Sequence, residues 1–124
     1  MRVSRKQFEA LVAEALDGLP PFIQEAMRNV DVVVEERPSK EQYAALGLGS
    51  DEWLFGLYEG TPLIERGVVS EPLMPDKVTI FRRPLEEACQ SPEQITEEIR
   101  RTVVHEIAHH FGIDEDRLAE LGYD

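Results

Sequence analysis

Apolar residues recur along this chain at two periods, and the switches between them mark out its elements. Phe8, Leu11, Val12, Ala15 and Leu16 follow the three-to-four spacing of one helix face. Ser4, with Gln7 three residues on, forms a capping-box pattern in front of them, and Asp17-Gly18 closes the run. Pro20-Pro21 restarts the chain, and Phe22, Ile23, Ala26 and Met27 predict a second, shorter helix ending at Asn29. Val30-Asp31-Val32-Val33-Val34 reads as a β-branched strand, stopped by Glu35-Glu36-Arg37-Pro38. A second capping pattern, Ser39 to Gln42, opens a short helical turn carrying Tyr43 and Leu46 and ending in Gly47-Leu48-Gly49.

The run Trp53-Leu54-Phe55-Gly56-Leu57-Tyr58 is apolar at both sets of alternating positions, which predicts an interior strand with its aromatics in the core. From Gly60 to Asp76 the periodicity fades among Gly60, Pro62, Gly67, Pro72 and Pro75. So long a loop in a small domain is expected to be functional or mobile, and it could wall a substrate cleft. The alternative is that Leu63-Ile64-Glu65 forms a short strand pairing back on the preceding one. Lys77–Arg82 reads as a further strand, ended by Pro84. Thr79 and Lys77 alternate there with Val78 and Ile80, which predicts an edge strand along which an extended substrate would lie.

The last helix begins cleanly, with Ser91 as N-cap, Pro92 at the first helical position and Gln94 completing the box. Ile95, Ile99, Val103, Ile107 and Phe111 recur every four residues, and Val104 and Ala108 widen the stripe. On a wheel at about 100° per residue, His105, His109 and Glu106 fall on the opposite side. One side is therefore patterned for the core and the other for chemistry. Gly112 ends the helix just past the second histidine.

That chemistry is legible in His105-Glu106-Ile107-Ala108-His109. Residues four apart stand one above the other on a helix, so two imidazoles converge on one cation, and neutral imidazole suits zinc. Glu106 stands where zinc peptidases place the base that deprotonates a metal-activated water. A third ligand must come from elsewhere. Asp114-Glu115-Asp116 follows at once, and acids at a short helix start also cap it, so Asp114 is a candidate cap for a last turn through Leu118 and Leu121. His110 projects about 100° from His109, so it is expected not to ligate the metal but to support the site from outside the ligands or to lie on the surface.

The chain has 124 residues, enough for one domain with a small core. A net charge of −12 and a pI near 4.6 argue against nucleic acid or an anionic membrane as partner. No apolar run of signal-peptide or membrane-span length occurs. A single cysteine, Cys89, cannot form an internal disulfide, so a reducing cytoplasm is the expected compartment.

His105-Glu-Ile-Ala-His109-His-Phe-Gly112-Ile-Asp-Glu115 resembles the bacterial zincin-like family of minimal metallopeptidases, with the pattern HExxHxxGxx(D/E). Leu57–Leu63, Ile64–Gly67 and Val78–Arg82 look like its other blocks. The resemblance implies a reduced zincin fold over residues 1–124, with zinc on His105, His109 and Glu115, Glu106 as general base, and a peptide or protein as substrate. Asp is the more usual residue at the third-ligand position, so Asp114 and Asp116 stay in contention. The residues themselves predict an α+β domain: two N-terminal helices, a sheet of three or four strands, and a long metal-bearing helix. The rival reading is a metal-binding regulatory or interaction domain without turnover. An oxyanion donor near the metal would separate the two, and Tyr58, Arg66, Arg82 and Tyr123 are the candidates.

Overall fold

The structure is a computed structural model that describes residues 1–49, 53–60, 76–120 and 122. Helices α1 (Arg5–Asp17) and α2 (Pro21–Ala26) lead into strand β1 (Val30–Glu35) and helix α3 (Lys40–Ala45). Strands β2 (Gly56–Glu59) and β3 (Asp76–Phe81) are followed by α4 (Arg82–Ala88), the long α5 (Pro92–His110) and α6 (Glu115–Glu120). The capping serines work as patterned: Ser4, Ser39 and Ser91 accept from the backbone N–H groups of Gln7, Gln42 and Gln94. The expected α+β class and the two N-terminal helices are present.

Three strands form one sheet in the order β1-β3-β2, with β1 parallel and β2 antiparallel to β3. One sequence expectation about strand order is overturned here. The strand expected at the edge, β3, is central and paired on both sides, so no substrate can add along it. In the segment expected inside, β2 starts at Gly56 and pairs with β3 among the described residues. Val78, Thr79, Ile80 and Phe81 are all buried, and this two-sided burial is what a middle position requires. Trp53, expected in the core, is 63% exposed and stacks on Phe55.

The core lies between one sheet face and the helices. Phe8, Leu11, Val12 and Ala15 of α1 and Ile95, Ile99, Val103, Val104, Ile107 and Ala108 of α5 meet Val78 and Ile80. Phe111, the fifth member of the apolar stripe, is instead exposed, because α5 ends at His110 and the chain leaves the helical period there. Strand β2 lies close against α5. A Cβ on Gly56 would stand 2.6 Å from Thr102 Cγ2, so this strand position needs glycine to let strand and helix approach.

Helix α4 was not expected, since Pro84 reads as the end of a strand. It sits instead in the first turn of α4, where backbone N–H groups lack intrahelical partners in any case. The helix carries a buried ionic cluster. Glu86, 2% exposed, accepts from Val3 N–H and from Arg83 Nη1, each at 2.8 Å. Arg82 binds the Val3 carbonyl at 2.7 Å and both oxygens of Glu36 at 3.2 Å. Burial by itself pushes the Glu86 carboxyl up, but the Val3 N–H and the two arginines outweigh it and the net shift is downward. A depressed folded-state value contributes stability that is present above the unfolded value, about 4.3, and is lost as pH falls through the folded one. We predict that Glu86→Gln costs about 1–3 kcal/mol at pH 7, because the cluster loses its charge and keeps its burial. Urea melts should show that cost shrinking from pH 6 to pH 3, and a cost independent of pH would contradict the assignment.

Candidate metal centre and active site

Three rows of side chains on α5 divide its labour. Ile99, Val103 and Ile107 face the core. His105 and His109, one helical turn apart, face outward with side chains 27% and 62% exposed. Thr102, Glu106 and His110 form a third row, and all three meet β2.

The His105 ring is held by its Nδ1–H, which donates to the Arg101 carbonyl at 3.0 Å. That bond leaves Nε2 as the lone-pair nitrogen, the tautomer a metal ligand needs. Gly112, with φ of +76°, turns the chain back after α5, a conformation that favours glycine. The backbone then enters α6, whose first residue is Glu115. Its carboxylate lies 3.5 Å from His105 Nε2 through one oxygen and 3.3 Å from His109 Nε2 through the other. The adjacent Asp114 is occupied in capping, accepting from Arg117 N–H at 2.8 Å. Asp116 is exposed, and the acid paired with both imidazoles is Glu115.

The donor types, two imidazoles and a carboxylate, fit zinc. Tetrahedral bonds of about 2.0–2.1 Å separate neighbouring donors by roughly 3.3 Å, close to the two carboxylate–imidazole separations. Among the described residues no three such side chains already converge on a single point. Glu115 instead bridges the two rings, whose centroids are 6.3 Å apart and tilted by 58°. All three side chains are partly or largely exposed.

Glu106 lies beside this set and is more deeply placed. Its Oε2 accepts the Tyr58 backbone N–H at 3.2 Å. Burial raises its carboxyl pKa above the usual range, while the Tyr58 N–H and the nearby imidazoles pull it partway back. Tyr58 faces Val78 across the sheet, yet its N–H points away from β3 towards α5. Its hydroxyl donates to Asp76 Oδ2 at 2.6 Å, and its ring stacks on His110 with centroids 3.9 Å apart. These side chains, with Arg28, Asn29 and Phe111, line an open cleft of about 480 Å³.

His110 is therefore part of the site's surroundings, one of the two roles expected for it. The four-residue spacing Thr102-Glu106-His110 puts it in line with Glu106. Of the four candidate oxyanion donors, Arg82 is spent in the ionic cluster on α4 and Tyr58 points its hydroxyl at Asp76. Arg66 and Tyr123 lie outside the described residues, as do Leu121, Leu63-Ile64-Glu65 and nearly all of the expected loop from Gly60 to Asp76. Cys89 is buried and its thiol is pushed up, chiefly by that burial.

Comparison with known proteins agrees with this architecture. Residues 27–123 match the family model of the zincin-like metallopeptidases. The chain belongs to that family. A solved structure of a conserved hypothetical protein from Thermo thermophilus superposes with a TM-score of 0.57 at 19% identity, over 98% of this chain and all of that one. At that identity the likeness concerns the fold. No curated protein matches the chain. No described helix is long and apolar enough to cross a membrane.

Proposed function

We propose that this protein hydrolyses peptide bonds as a zinc-dependent metallopeptidase, with His105, His109 and Glu115 holding the metal and Glu106 acting as general base. One observation carries the reading: the Glu115 carboxylate stands within 3.3–3.5 Å of both imidazole Nε2 atoms, while Glu106, next to His105, is held apart by the Tyr58 N–H. Bound zinc would supply Lewis acidity towards the scissile carbonyl and lower the pKa of a water molecule towards neutrality.

The chain's own groups do the rest. Glu106 takes the proton from the attacking water and can return it to the leaving amine. Tyr58 N–H holds one Glu106 oxygen, which leaves the other for the water. The cleft at Tyr58, His110 and Phe111 lies beside Glu106 and can take a substrate side chain. The acidic balance of the chain disfavours nucleic acid as substrate. The absence of a second cysteine makes a cytoplasmic setting the consistent one.

Metal analysis of chelator-free protein, paired with a peptide-library cleavage assay, tests the reading. About one zinc per chain and cleavage that chelator abolishes and zinc restores are the expected results. Stoichiometric zinc with no cleavage of any library member would favour a metal-binding domain without turnover.

A further inference from the structure

We propose that His110 and Tyr58 form a positioning device for Glu106, an inference that rests on reading Glu106 as the proton acceptor. A glutamate on a helix surface has three side-chain torsions, and a general base needs one oxygen fixed so that the other meets its water. The Tyr58 N–H supplies that fixed point, at 3.2 Å from Glu106 Oε2. Tyr58 lies in the four-residue strand β2, and a fixed point serves the base only if its residue is held in place.

The Tyr58 side chain holds it from two directions. The hydroxyl donates to Asp76 Oδ2 at 2.6 Å, which ties it to the first residue of the central strand β3. The ring lies on the His110 imidazole, with centroids 3.9 Å apart and planes 18° from parallel. His110 is four residues beyond Glu106 on the same row of α5, so the stack and the hydrogen bond tie Tyr58 to that helix at successive turns. Phe111 meets the other imidazole edge at 4.9 Å, and His110 Nε2 stands 3.9 Å from Asp76 Oδ2. The imidazole thus works as a plate that keeps β2 seated on the metal helix. His110 and Tyr58 are positioning residues, since they act on the reaction through Glu106.

The full chain, loaded with zinc, carries the test in two variants. His110→Ala removes the plate and His110→Phe keeps a flat ring; the His110 side chain is 40% exposed, so both variants are expected to fold, as melts will check. In ¹⁵N-labelled protein the Tyr58 amide should shift in His110→Ala and exchange its hydrogen about tenfold faster, while His110→Phe returns both towards wild type. In peptide cleavage, kcat should fall about tenfold with zinc content unchanged, again restored by Phe. A Tyr58 amide in His110→Ala that matches wild type overturns the inference, whatever the activity. A kcat loss that Phe does not restore also overturns it. If wild type cleaves nothing while the amide responds as expected, the catalytic reading of Glu106 fails and the seating of Tyr58 by His110 stands.

Discussion

Glu106→Gln is expected to lower peptide hydrolysis by about 10²–10⁴-fold while zinc content stays at the wild-type level. The substitution is nearly isosteric, and its amide oxygen can still accept the Tyr58 N–H that now holds the carboxylate at 3.2 Å. Shape, packing and orientation are therefore kept, and only the capacity to accept a proton is lost. Turnover by zinc-loaded protein, with metal measured on the same sample, gives the answer. A variant that loses its zinc would make Glu106 a ligand. One that keeps full activity would remove its role as base.

The second large effect concerns the metal. His105→Ala combined with His109→Ala should leave no stoichiometric zinc, since both imidazole donors of the helix are gone. Glu115→Gln should weaken zinc binding more than the roughly 10–100-fold that losing an outer-sphere partner costs, with activity partly regained on adding zinc. The geometry sharpens the control. Asp114 accepts from Arg117 N–H, so Asp114→Asn alters a cap and should change zinc affinity far less. Wild-type affinity in Glu115→Gln would pass the third-ligand role to another acid, with Asp116 tested next. Zinc retained by the double histidine variant would remove the site altogether.

What was readable in advance divides by the range of the physics. Ser4, Ser39 and Ser91 announce their helices because a cap is an interaction between residues three apart. The spacing of His105, Glu106 and His109 is equally local: a helix of known pitch places both rings on one side and the apolar stripe on the other. Even the turn at Gly112, which brings Glu115 back beneath the rings, is signalled by a residue that tolerates positive φ.

Strand order was not local. Lys77–Arg82 reads as an edge strand but lies in the middle, because its run mixes apolar and polar positions and carries no mark of its neighbours. Tertiary packing decided it. β3 has buried residues on both faces and takes the middle, while Gly56 lets β2 close onto Thr102 at the side of the metal helix. The same packing gave His110 its place, since a ring stacked on Tyr58 depends on a strand far back in the chain. The sequence by itself thus determined the helices, the donor types and their spacing, all set by contacts within a few residues. Only the tertiary structure decided which strand edge lies beside Glu106, which acid faces the two imidazoles and which ring steadies the base, because those depend on how separate elements meet.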